Sequence, residues 1–257
     1  MVLQKGNRGV KVRELQRLLN NKGYVLSVDG EFGMRTLAAL KAFQKNHLLL
    51  VDGIAGPATF KELKSDPRAL KEIDYHRAAE ELGVDVATVK AVTQVEAAGS
   101  GFQSDGRIKI LFEGHKFWEE LNKIYGNAKL KETPDTADIL YEKWTKKYYR
   151  QDQHDRLHRA SLIHKEAAER STSWGMFQIM GFNHLVCGFA EVGSFVRFNK
   201  QNEGNQLLCF VRFCLGNHLH TFLQQKDWGG FARRYNGPAY KKNKYDTKLA
   251  AAYKKFS

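Results

Sequence analysis

No stretch of the 257 residues approaches the uninterrupted apolar length that a bilayer-spanning helix needs, so such a helix is excluded. The first residues, MVLQKGNRGV, lack the apolar core and small-residue cleavage site of a secretory leader, so export by that route is not expected. Cysteine is scarce. Cys187, Cys209 and Cys214 are an odd number, and no pair has zinc-finger or redox spacing. Buried free thiols in a reducing compartment are expected, with a Cys209–Cys214 bridge as the alternative. Acidic residues are also in deficit: 28 Asp and Glu face 41 Lys and Arg, a net charge of +13 that steers the chain toward polyanions. Nucleic acid, anionic membrane and bacterial wall polymers all qualify, and charge does not choose among them. Hydrophobic residues at 42% and charged residues at 27% exclude a disordered or fibrous chain.

What is present begins with a repeat. Asp29-Gly30-Glu31-Phe32-Gly33-Met34-Arg35-Thr36 is echoed by Asp52-Gly53-Ile54-Ala55-Gly56-Pro57-Ala58-Thr59, both reading D-G-x-x-G-x-x-T. Each copy supplies a turn whose glycines permit positive φ, then a Thr near a helix start. Leu37, Leu40 and Phe43 form one helical stripe, and Val12, Leu15, Leu18 and Leu19 another. A polar, Pro-containing segment at Lys64–Arg68 reads as a linker.

Beyond it the pattern is mainly α. A helix over Ile73–Leu82 ends at Gly83, and Asp85 caps one that carries Val86, Val89, Val92 and Val95. Further helices are expected around 136–149, 154–169, 204–223 and 246–255. Ile108–Phe112, after the Asp105-Gly106 turn, is the one convincing strand.

Glu96 stands in the last turn of its helix, beside Val95, Ala97 and Ala98. Desolvation and the negative end of the helix dipole both disfavour its anion. A carboxyl group held protonated suits a general acid. Ser173-Trp174-Gly175-Met176-Phe177-Gln178-Ile179 follows as S-x-G-x-x-Q-I, then Tyr235-Asn236-Gly237. His154 and His158 share a helical face, and His218 and His220 alternate, but neither pair belongs to a converging zinc set, so no metal or cofactor is expected.

The series from Gly6 to Leu63, G-x-R-G-x-x-V-x-x-L-Q-x-x-L, D-G-x-F-G-x-x-T, F-Q and D-G-I-x-G-x-x-T, resembles the peptidoglycan-binding domain of wall hydrolases. The order Glu96, S-x-G-x-x-Q-I, Y-N-G resembles the lysozyme-like superfamily. With Gly101-Phe102, Asp105-Gly106-Arg107, Leu111-Phe112-Glu113, His115 and Phe117 added, residues 73–257 look like the N-acetylmuramidase domain of modular phage endolysins. The resemblance implies a three-helix binding domain over 1–64, a linker over 65–72 and a lysozyme-like catalytic α domain with a small β element over 73–257.

It further implies cleavage of the β-1,4 bond between N-acetylmuramic acid and N-acetylglucosamine, with Glu96 as the acid. Ala97 stands where related enzymes often carry Ser. Paired carboxylates lie ~5 Å apart for retention and ~6.5–9.5 Å apart for inversion. Glu113 is the second catalytic candidate, with a structural role at the helix start as its alternative. Asp105 reads as a turn former. Ser173, Trp174, Gln178, Tyr235 and Asn236 are candidate substrate contacts, and Phe177 and Ile179 read as core. Asp29, Phe32, Thr36, Asp52 and Thr59 are candidate peptidoglycan contacts.

A lytic transglycosylase with a single Glu and a noncatalytic wall-binding protein remain the alternatives. A nucleic-acid partner lacks any reading motif. The basic tail from Lys241, with Lys248, Lys254 and Lys255, reads either as a solvated helix packed by Leu249, Tyr253 and Phe256 or as a contact for an anionic outer-membrane surface. A monomer is expected, held in the host cytoplasm until a holin-type lesion opens the way to the wall.

Overall fold

In the computed structural model, which describes residues 2–97, 99–126 and 133–257, each D-G-x-x-G-x-x-T copy leads into a helix. Helix α1 (Val10–Asn21) precedes the first copy, α2 (Met34–Asn46) follows it, and α3 (Pro57–Leu63) follows the second. Val12, Leu15, Leu19, Leu40, Phe43 and Phe60 form the core of this unit. Both turns are held by a buried glutamine. Gln16 Nε2 donates to Asp29 Oδ1 at 2.8 Å, while Gln16 Oε1 accepts from Gly30 N at 3.0 Å. Gln44 repeats this on Asp52 Oδ1 at 2.8 Å and Gly53 N at 3.0 Å. Each glutamine is 1% exposed, which is tolerable because both ends of the amide are bonded. Gly30 and Gly53 sit at φ +81° and +73°, where a β-carbon would be strained.

The chain divides into compact units at His76 and Arg77, inside α4 (Glu72–Leu82). In the second unit, α5 (Val86–Glu96) starts at Asp85, whose carboxylate accepts from Thr88 N at 2.7 Å. Strand β1 (Ile110–Phe112) pairs antiparallel with β2 (Thr172–Trp174), and β2 with β3 (Ile179–Met180). Leu111 faces Ser173, and Ser173 faces Met180. Helices α6 (Gly114–Tyr125) and α7 (Gln153–Arg170) lie between β1 and β2 in sequence. After β3 come α8 (Val192–Asn199), α9 (Glu203–Gly216), α10 (His220–Gln224), α11 (Trp228–Asn236) and α12 (Tyr245–Phe256). The fold is mainly α, as the sequence implied.

Four element expectations are corrected. Residues 136–149 are turns and bends, not helix. Arg156, 1% exposed, donates to Asp138 O through both Nε (2.9 Å) and Nη2 (2.5 Å), competing for the carbonyl that an intrahelical bond would use. The expected 204–223 helix is two, α9 and α10, broken at His218 with φ +57°. Helix α7 spans its expected range but is interrupted at His164, whose Nδ1 caps Ala167 N at 3.2 Å. The strand is shorter than expected, with Ile108 left in an isolated bridge to Phe102. Cys187, Cys209 and Cys214 are buried free thiols, so no bridge forms.

Replacing Gln16 with Leu orphans Gly30 N–H and should cost about 1–3 kcal/mol. Hydrogen exchange on the intact chain should accelerate across residues 29–36. Unchanged protection would mean that the glutamine is not what holds the turn.

Candidate active site

Glu96 is the last residue of α5, where the chain leaves helical geometry at the buried Ala97. Ala98, expected among its neighbours, lies outside the described residues. The Glu96 carboxyl is half-buried, and desolvation raises its pKa above the usual carboxylate value. Two groups act in the opposite sense. Asn236 Nδ2 donates to Glu96 Oε1 at 2.9 Å, and the Lys248 ammonium lies near enough to favour the anion. Burial still wins. Thr93 Oγ1, one turn earlier, is buried with no hydrogen-bond partner among the described residues.

Asn236 ends α11. One residue earlier, the Tyr235 ring packs on Phe210, Phe213 and Phe231, and its hydroxyl donates to Phe177 O at 3.2 Å. Tyr235 therefore anchors the helix end that presents Asn236. Its hydroxyl is already engaged.

Two buried side chains of α9 fix the remaining backbone, and the sequence reading missed both. Glu203 Oε1 accepts from Ser100 Oγ and Gly101 N, each at 2.7 Å, holding the loop after Glu96. Gln206 Oε1 accepts from Met176 N at 2.8 Å, and its Nε2 donates to Asn199 O at 3.0 Å. A β-carbon at Gly101 or Gly175 would collide with Gln206. Polar residues on a stripe shared with Leu207 and Phe210 were the available signal.

Ser173 and Gln178 bond to each other rather than to Glu96. Ser173 Oγ donates to Gln178 Oε1 at 2.8 Å, and Gln178 Nε2 to Gly175 O at 2.7 Å, bracing the β2–β3 turn. Trp174 is corrected: at 2% exposure, with Nε1 donating to Glu169 O, it offers no face to a sugar ring. Phe177 and Ile179 are core, as expected.

Glu113 occupies the N-cap position of α6, but its side chain makes no cap bond. Tyr149 Oη donates to Glu113 Oε1 at 2.8 Å, and His115 Nδ1 lies 3.4 Å from Oε2. Desolvation raises the Glu113 pKa as well, against weaker opposing effects of Tyr149 and Arg156. Asp105 accepts from Arg107 N at 2.9 Å and is held below the usual carboxylate range, which fits a turn former. His154 is tied to Ile108 O at 2.9 Å.

In the first unit, Phe32 (2% exposed), Thr36 (3%) and Thr59 (5%) are interior and cannot meet a ligand. Those three peptidoglycan contacts are corrected to structural residues. Asp29 and Asp52 are each tied to their turns through Oδ1, Asp29 by Gln16 and Glu31 N and Asp52 by Gln44 and Ile54 N. Asp29, with Leu26, Met34 and Arg35, lines an open groove of about 250 Å³.

A family model described as N-acetylmuramidase matches residues 85–257, and one for a peptidoglycan binding domain matches residues 8–63. The chain belongs to the N-acetylmuramidase family. The crystal structure of a Burkholderia AP3 phage endolysin is similar over 100% of this chain and 99% of that one, with 40% identity and a TM-score of 0.70. Shorter matches join the chain to a zinc D-Ala-D-Ala carboxypeptidase of Streptomyces albus G (44% identity over 64 residues) and to the N-acetylmuramoyl-L-alanine amidase CwlL of Bacillus licheniformis (43% over 65). These cover 24% of this chain and only 25% and 18% of those proteins, so it spans a quarter or less of their length.

The raised pKa of Glu96 makes a signed prediction. The folded-state pKa of Glu96 is raised, so its contribution to stability is present below the unfolded carboxylate value and is lost as pH rises through the folded one. Glu96→Gln keeps an acceptor for Asn236 without the charge. Its Tm should exceed that of wild type near neutral pH, and the gain should shrink in mild acid. A gain independent of pH would contradict desolvation of the carboxylate.

Proposed function

We propose that this muramidase hydrolyses the β-1,4 bond between N-acetylmuramic acid and N-acetylglucosamine, with Glu96 as general acid. The observation that carries the reading is a half-buried carboxyl with raised pKa, bonded by one neutral amide at the end of α5. Glu96 protonates the glycosidic oxygen as the C1–O bond breaks and the sugar gains oxocarbenium character. Asn236 fixes the carboxyl rotamer and accommodates the anion left after proton transfer. The re-formed acid then requires return of a proton from the attacking water.

Glu113 fits a positioning role better than a base. Burial and the Tyr149 bond hold it at the junction of β1 and α6, and desolvation works against the anion that a base or nucleophile needs. In the first unit, the groove lined by Asp29, Met34 and Arg35 is the surface we assign to wall binding. Likeness to a phage endolysin supports accumulation in a host cytoplasm followed by release to the wall.

Glu96→Gln should lower kcat/KM on purified peptidoglycan by about 10²–10⁴-fold, and Glu113→Gln by less than about 10-fold. The reverse ranking would transfer the acid role to Glu113. Mass spectrometry of borohydride-reduced products should show reduced muramic acid ends. Anhydro-muramyl ends would reassign the reaction to transglycosylation, and absence of released glycan would leave a binding protein.

A further inference from the structure

Helix α12 packs along α5 through Leu249 and Ala252, both buried. Its position is further pinned at Asp85, which accepts from Tyr253 Oη at 3.0 Å and Lys226 Nζ at 2.9 Å. Leu249 and Ala252 of the basic tail are thus covered by the protein itself, while Phe256 is exposed. What α12 leaves open is a groove of about 420 Å³ lined by Gln94, Val95, Lys248, Ala251, Ala252 and Lys255.

The chemistry of this groove is one-sided. Its two charged lining residues are lysines, and no carboxylate is among the lining residues. Lys248 and Lys255 are seven residues apart, two helical turns or about 10 Å along one face. Lys255 Nζ donates to Gln94 Oε1 at 3.2 Å, which orients the ammonium over the groove wall. The groove lies next to Glu96 in the chain, since its lining residues Gln94 and Val95 directly precede Glu96 at the end of α5. Small alanines in the lining leave room for backbone-sized groups.

Muramic acid carries, through its lactyl ether, a short peptide with free carboxylates, and one of the two sugars joined by the scissile bond is that muramic acid. An acidic branch leaving the cleavage point is the anion that a basic groove of this length beside Glu96 would meet. We propose that the α5–α12 groove is a subsite for the acidic stem peptide, with Lys255 pairing a stem carboxylate. The proposal rests on the muramidase reading and adds to it the part of the substrate outside the glycan.

The test uses the full chain on two substrates: glycan strands bearing stems, and the same strands stripped by an N-acetylmuramoyl-L-alanine amidase. Lys255→Gln should lower kcat/KM on stem-bearing strands about 5-fold, and Lys255→Glu further, while stripped strands change by less than about 2-fold. Lys255→Arg should restore the stem-bearing rate. Equal losses on both strands, or none on either, overturn the proposal. So does a Lys255→Gln variant that cuts both strands normally but no longer sediments with phosphatidylglycerol vesicles, which would assign the groove to lipid. A wild type inert on both strands overturns the muramidase reading and the subsite with it.

Discussion

A carboxyl group is kept at the edge of the protein interior by one neutral hydrogen bond, and the second unit is arranged around that constraint. Glu96 would sit at an ordinary carboxylate value in water and would be largely ionised at neutral pH. Partial burial raises it, while the Asn236 amide and the Lys248 charge restrain the shift. A close cation would have cancelled the effect by favouring the anion. An amide donor bonds the acid in both charge states, orients it and leaves the proton available.

Keeping Asn236 in place takes several layers. Tyr235 is wedged among three phenylalanines and tied to Phe177 O, so the end of α11 is registered against the β2–β3 turn. That turn is gripped by Gln206, and the loop after Glu96 by Glu203. Buried polar side chains with every main atom bonded recur as the device that sets loop conformation, in Gln16 and Gln44 of the first unit and in Arg156 of the second. Each replaces missing backbone partners with side-chain ones, which suits loops that have no neighbouring strand.

Much of this was legible in the sequence. The repeat of glycine turns, the Asp85 cap and the apolar stripes located the helices of the first unit and α5, because those signals are local. Glu96 and Asn236, which the structure brings into hydrogen-bond contact, were named from motif order, and so was Tyr235. What escaped notice was non-local. Trp174 has the composition of a sugar platform, and only the packing that buries it shows otherwise. Residues 136–149 carry a helical pattern that Arg156, far along the chain, overrides. Glu203 and Gln206 read as ordinary helix residues until the loop they hold, about a hundred residues earlier for Glu203, is folded against them. Phe32, Thr36 and Thr59 were motif residues whose regular spacing marked architecture rather than contact.

The central claim is that Glu96 is a desolvated acid held by Asn236. Its direct test is a carbon NMR titration of the Glu96 side-chain carboxyl in the intact protein, in wild type and in Asn236→Ala. The account predicts a wild-type midpoint above that of an exposed glutamate, and a further rise once the Asn236 donor is lost. A midpoint at or below the exposed value, or one that falls in Asn236→Ala, would contradict it.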